Sequence, residues 1–212
     1  MNKIIYLFLG ICFSSSVNAG VILQADSVWT DGTPYSAPIE NIINQSGLAS
    51  SYTSGVDDFA TFVNNNTANY ASGVSLNLGD NSAQLDNFYF NLGAVYTIDA
   101  LAIWNQYGSA SLKTFDIYAS SDANFVSTTL LGSYSITDGP FNVQGNIFSF
   151  AATTAQYFMI DVTANYGFSQ ATRINEVAFS SVQTQAVSEP ISFALFGLGL
   201  LGIVFSRKDR SI

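Results

Sequence analysis

Tyr157-Phe158-Met159-Ile160-Asp161-Val162 is a short run of aromatic and branched residues with the period of a β-strand. Five more runs of the same kind accompany it: Phe88-Tyr89-Phe90-Asn91-Leu92, Leu101-Ala102-Ile103-Trp104, Phe115-Asp116-Ile117-Tyr118-Ala119, Ile147-Phe148-Ser149-Phe150 and Ile174-Asn175-Glu176-Val177-Ala178-Phe179. Clusters of Gly, Asn, Ser and Asp separate them at residues 105–111, 120–124 and 137–145, where turns belong. No ten-residue helical stripe competes. One short helix is predicted at residues 38–44, because Pro38 suits a first-turn position and Ile39, Ile42 and Ile43 share a face before Gly47. Asn64-Asn65-Asn66-Thr67-Ala68-Asn69 is polar enough to read as an exposed loop. The pattern as a whole is that of an all-β sandwich of about eight strands with Greek-key connections.

Both ends of the chain read differently. Asn2-Lys3, an apolar stretch from Ile4 to Phe13 and the small-residue site Val17-Asn18-Ala19 have the form of a signal peptide, so cleavage is expected after Ala19. Cys12 is then discarded with the signal, since Ile11 does not suit lipidation of that cysteine. At the other end, Val187-Ser188-Glu189-Pro190 precedes an uncharged apolar span, Ile191 to Phe205, which a basic stop containing Arg207, Lys208 and Arg210 follows. Fifteen residues at ~1.5 Å each reach about 22 Å, short of the ~30 Å hydrocarbon core, so length favours a processed signal over a simple anchor. The expected organisation is a signal helix over 1–19, one β-sandwich domain over 20–186, and a tail over 187–212 whose apolar helix over 191–205 spans the membrane in transit. Without cysteine in the mature domain, no disulfide staples it, and packing must hold about 170 residues together.

Once both ends are set aside, Lys113 and Arg173 stand against fourteen acids between Gly20 and Pro190, a net charge of −12. Such a surface repels phosphate backbones and anionic headgroups, so nucleic acid is not an expected partner, whereas cations and neutral sugars are compatible. The chain has no histidine, and the mature domain has no cysteine, so Ser-His-Asp and Cys-His machinery and His/Cys zinc sites cannot be assembled. Two carboxylates could still hydrolyse a glycoside. Asp57-Asp58 is the only adjacent acidic pair, and nothing in the sequence fixes its geometry. The expectation is a protein that is not an enzyme.

The tail from Val187 to Arg210 resembles the PEP-CTERM sorting signal, also called the ice-binding protein C-terminal domain. Its most distinctive part is Phe196-Gly197-Leu198-Gly199-Leu200-Leu201-Gly202. Ser188 departs from the commonest form, which carries Pro there. The resemblance implies recognition by an exosortase in a Gram-negative cell, removal of the apolar tail, and delivery to the cell surface or extracellular matrix. Ice binding is not implied.

A second resemblance covers Leu85 to Ser181. Val95-Tyr96-Thr97-Ile98-Asp99, Leu101 to Asn105, Phe115 to Tyr118 with Ser120-Ser121-Asp122 and Phe125, Ala155 to Phe158, Asn165-Tyr166-Gly167 and Asn175 to Phe179 are similar to the discoidin family, also described as galactose-binding-like. This implies an eight-stranded jelly roll that binds glycans, lipids or proteins through loops at one end. It also implies a structural calcium, held here by Asn44 after the short helix and by Glu176 in the last strand. Asn44 supplies no charge, which weakens such a site. On the loops, Trp104, Asn105, Gln106 and Tyr107 follow one strand, Asn165, Tyr166, Phe168 and Gln170 follow another, and Arg173 is one of two cations. A pyranose takes an aromatic face for its C–H surface and amides or arginine for its hydroxyls. Trp104, Asn105, Tyr107, Asn165, Tyr166 and Arg173 are therefore the candidate glycan contacts. Against this stand core packing for Trp104 and pairing of Arg173 with Glu176. The expected function is binding of extracellular polysaccharide at the cell surface. The alternatives are a structural matrix or biofilm protein without a specific ligand and a carboxylate-only glycoside hydrolase.

Overall fold

A computed structural model describes residues 20–34, 37–69, 74–77, 87–138, 142–168 and 172–182. The expected signal helix and sorting tail lie outside these residues. Among the described residues no helix is long and apolar enough to cross a membrane.

The architecture is an all-β jelly-roll sandwich. Eleven strands are described: β1 (Val21–Leu23), β2 (Ser27–Thr30), β3 (Thr33–Pro34), β4 (Thr67–Asn69), β5 (Val74–Asn77), β6 (Phe88–Asn105), β7 (Leu112–Ser120), β8 (Thr128–Ser135), β9 (Asn142–Gln144), β10 (Asn146–Asn165) and β11 (Arg173–Ser181). The main sheet runs β3-β5-β11-β6-β10-β7-β8, with β1 added to β11 and β2 to β6. Four of the six runs read as separate strands are halves of two long ones. Phe88 to Leu92 and Leu101 to Trp104 both belong to β6; Ile147 to Phe150 and Tyr157 to Val162 both belong to β10. Register breaks at Ser149/Thr153 and Ala155/Tyr157 let the pair bend, as bulges do. One half of each strand joins β2, β7 and β8 in a first layer, and the other half joins β11, β5 and β1 in a second.

The main core lies between the layers. Phe88, Phe90, Phe115, Ile117, Phe158 and Ile160 of the first layer face Leu101, Ile103, Ile174, Val177 and Phe179 of the second. The second layer is buried on its other face too, where Ala100, Ala102, Trp104 and Ala178 meet Ile22, Tyr52, Phe59 and Val63. Strand β11 is accordingly buried on both faces from Ile174 to Ser181.

The short helix appears as a 3-10 turn, Ile39–Ile42, with Ile39 and Ile42 buried. A second helix, α1 (Phe59–Asn65), was not legible, and it corrects the reading of residues 64–69 as an exposed loop. Asn64 and Asn65 close α1, and Asn66 is buried, its Oδ1 accepting from Ser50 N–H and its Nδ2 donating to Ser50 O. Thr67–Asn69 pairs with β9. The two bonds with Ser50 satisfy the Asn66 amide, as burial of a polar group requires. Asp58, one half of the acidic pair, is the N-cap of α1 and accepts from Thr61 N–H at 2.7 Å.

Candidate functional site

The loops after β6 and β10 meet at one end of the sandwich because polar side chains there are spent on backbone. Asn105 is 1% exposed; its Oδ1 accepts from Gln106 N–H and Leu112 N–H, both at 3.0 Å, and its Nδ2 donates to Leu112 O. Asn175 donates in turn to Asn105 O. These bonds close the 106–111 loop at its base. Asp138 Oδ1 accepts from Gly108 N–H and Ser111 Oγ–H, while Tyr166 Oη–H donates to Ile136 O at 2.7 Å and accepts from Asp138 N–H. Asn165 Oδ1 accepts from Gly167 N–H and its Nδ2 donates to Phe168 O. Backbone bonds from Phe168 to Ser109 and from Arg173 to Ala110 join the segments. Gly108 at φ 94° and Gly167 at φ 100° make the left-handed turns this needs, and both face open space.

The surface so fixed carries rings and cations. Tyr107 is 47% exposed. Lys113 Nζ lies 5.4 Å from the centre of the half-buried Tyr166 ring, and Arg173 Cζ lies 5.9 Å from that of Phe168. Lys113 and Arg173 are the cations of the described residues, and each stands over an aromatic face. Arg173 Nε is buried without a hydrogen-bond partner among the described residues.

The candidate contacts therefore separate. The structure brings Tyr107, Asn165, Tyr166 and Arg173 to one loop surface. Trp104 is a correction to the list of contacts, being fully buried beneath α1 with its Nε1–H on Asn66 O at 3.1 Å. Asn105 is equally withdrawn from a ligand, since its carboxamide holds the loop base; its role is positioning. Arg173 stacks on Phe168, while Glu176 accepts from Gln45 N–H at 3.0 Å. The sequence reading did not single out Lys113 or Asp138. Lys113 could have been found as one of two cations in an acidic domain; nothing local marks Asp138. Gln170 lies outside the described residues.

The residues proposed for calcium fit it poorly. Asn44 is exposed, its Oδ1 accepting from Ser46 N–H and its Nδ2 donating to Asn41 Oδ1. Glu176 is fully buried, with Oε2 on Gln45 N–H and Oε1 without a partner. Burial pushes its carboxyl up to about 9, against the bond from Gln45 N–H, which lowers it. Burial and the nearby Glu176 likewise raise the Tyr52 hydroxyl. A shared metal would require Glu176 to ionise. Among the described residues no cluster of three or more acidic, His or Cys side chains is placed to hold a metal.

Residues 186–208 match the PEP-CTERM protein-sorting motif, which marks the chain for export and sorting to the cell surface. No curated protein sequence matches the chain. Solved structures do. The CBM32 of AlyQ in complex with 4,5-unsaturated mannuronic acid aligns with a TM-score of 0.51 at 22% identity, over 74% of this chain and 96% of that one. Chitosan-binding module 1 of a chitosanase/glucanase from Paenibacillus sp. IK-5 aligns with a TM-score of 0.50 at 15% identity, over 74% and 95%. CpGH89CBM32-5 from Clostridium perfringens, in complex with GalNAc-β-1,3-galactose, aligns with a TM-score of 0.51 at 11% identity, over 72% and 93%. At these identities the likeness is one of fold.

Proposed function

We propose that this chain is a surface-sorted protein that binds an extracellular glycan at the loop end and performs no chemistry on it. The observation that carries the reading is the pairing of Lys113 of β7 with Tyr166 and of Arg173 of β11 with Phe168, beside loops fixed by Asn105, Asp138 and Asn165. Rings with cations beside them suit a sugar, whose C–H face stacks while its hydroxyls or carboxylate take N–H donors. The fold's likeness to modules solved with an unsaturated uronic acid and with a GalNAc disaccharide supports the same class of ligand. Binding by rigid loops costs little ordering, and attachment of many copies to a surface raises the effective concentration for a polymer. An exosortase is the proposed processing partner, with the apolar tail holding the chain in the membrane until it is cut.

Titration calorimetry of the purified chain against alginate oligosaccharide, galactose, GalNAc and matrix polysaccharide tests the site. Binding of one of them, lost in Tyr107→Ala and weakened about tenfold in Arg173→Ala, is expected, since Arg173 supplies a charge-assisted contact. No heat with any glycan, together with concentration-dependent assembly, would favour the structural matrix role instead.

A further inference from the structure

The outward face of the first layer is as ordered as its inward one. Register places Trp29, Tyr89, Met159, Tyr118 and Leu130 opposite one another across β2, β6, β10, β7 and β8, a continuous apolar row over five strands. At a strand spacing of ~4.8 Å the row is about 19 Å long. None of these side chains is fully buried, and Leu130 is 52% exposed. Trp29 and Tyr89 stack at 5.5 Å with their planes 12° apart, and Phe125 and Tyr157 pack against them at 5.1–6.4 Å. Phe125 reaches the row from the β7–β8 loop at φ 53°, a left-handed conformation that a bulky side chain adopts at a cost, so its contacts hold the loop across the sheet. Beside it Val126 is 84% exposed.

A second row, two residues along β2, β6, β10 and β7 and three along β8 across its bulge, carries the charge. It runs Asp31, Asn87, Asp161, Asp116 and Ser133, with Asp161 directly opposite Asp116 in the β10–β7 register. Like charges facing each other across a strand pair are destabilising. Asp31 takes Asn87 N–H at 2.7 Å and Tyr89 Oη–H at 3.2 Å, which ties the acidic row to the apolar one. Burial, then Asp116 and Asp31, push the Asp161 carboxyl up. The cations of the described residues are occupied elsewhere, Lys113 at Tyr166 and Arg173 at Phe168. Among the described residues this face therefore lines up acids without a counter-charge.

From these two rows we infer that the outward face of the first layer is a second binding surface, built for a polymer of protonated amino sugars lying across the strands. The sugars' C–H faces cover the Trp29-to-Leu130 row, and their ammonium groups lie along Asp31, Asp161 and Asp116. Charge complementarity selects a cationic partner, and an extended line of apolar groups selects flat rings. A lysine-rich peptide offers the charge but carries it on flexible stems with no matching apolar plane. The surface is separate from the loop end, which draws on none of these residues.

The test is calorimetric titration of the full chain, at slightly acid pH and low salt, with a glucosamine oligomer, its N-acetylated counterpart and polylysine. The glucosamine oligomer binds, the N-acetylated one binds at least about tenfold more weakly, and the Asp116→Asn/Asp161→Asn double variant loses about tenfold in affinity for the first, as expected when charge-assisted contacts go. Leu130→Lys, a change at an exposed site, has the same effect by adding a like charge. The double variant keeps whatever glycan binding the loop end shows, which separates failure of this surface from failure of that one. Equal binding of both oligomers, undiminished binding by either variant, or polylysine binding as tightly and with the same variant losses would overturn the assignment.

Discussion

Glu176 is fully buried, and this desolvation favours its protonated form although Oε2 accepts from Gln45 N–H, a bond that opposes the shift. Its carboxyl sits at about 9 in the folded chain against an ordinary 4.5. The folded state therefore binds the extra proton, and stability falls as pH rises between those two values. Glu176→Gln should raise Tm at pH 8 and flatten that decline, as scanning calorimetry across pH would show. A Glu176→Gln protein that is less stable than the parent only when calcium is present would instead reveal a cation at Oε1. Gly145 is a second telling residue. A Cβ there would meet Val63 Cγ1 at 2.7 Å and Trp104 Cε2 at 2.8 Å, so Gly145→Ala should lose about 1–3 kcal/mol in urea unfolding. Neither effect was legible from sequence. Trp104 shows why: a large aromatic beside a loop has the composition of a sugar platform, and only its burial under α1 assigns it to the core.

At the scale of elements, strand runs were legible because β-branched and aromatic residues mark them, and all six lie in strands. Their joining into β6 and β10 was not, since the residues between the paired runs, 93–100 and 151–156, carry no signal that separates a bent strand from a break, and the structure carries them through with register shifts. Helix α1 was hidden by its asparagines. Its cap was visible only as an acidic pair, and Asp58 holds the first turn through Thr61. Asp58→Ala should cost about 1 kcal/mol at neutral pH. The bonds from Thr61 hold the Asp58 carboxyl below its ordinary value, so its contribution is present above that value and lost as pH falls through the folded one. The difference between Asp58→Ala and the parent should thus shrink in acid. A constant difference would mean that the carboxylate is not the cap.

For the whole molecule, the ends and the body say complementary things: residues 186–208 carry a sorting motif, and the β-sandwich presents loop aromatics beside cations at the starts of β7 and β11. The intact mass of the protein from cells with and without an exosortase tests the first. A chain ending near Glu189 only when the enzyme is present is the predicted result; a chain running to Ile212 in both would contradict it. The loop-end site was half legible, since Tyr107, Tyr166 and Arg173 were chosen for their chemistry and lie together at that end. Lys113 entered only through the fold, which brings β7 under Tyr166. The central claim, glycan binding at that end, is tested most directly by amide hydrogen exchange with and without the glycan that gives heat in titration. New protection over residues 106–111, 136–138 and 165–168 is predicted. Protection confined to other segments, or none at saturating glycan, would contradict the account.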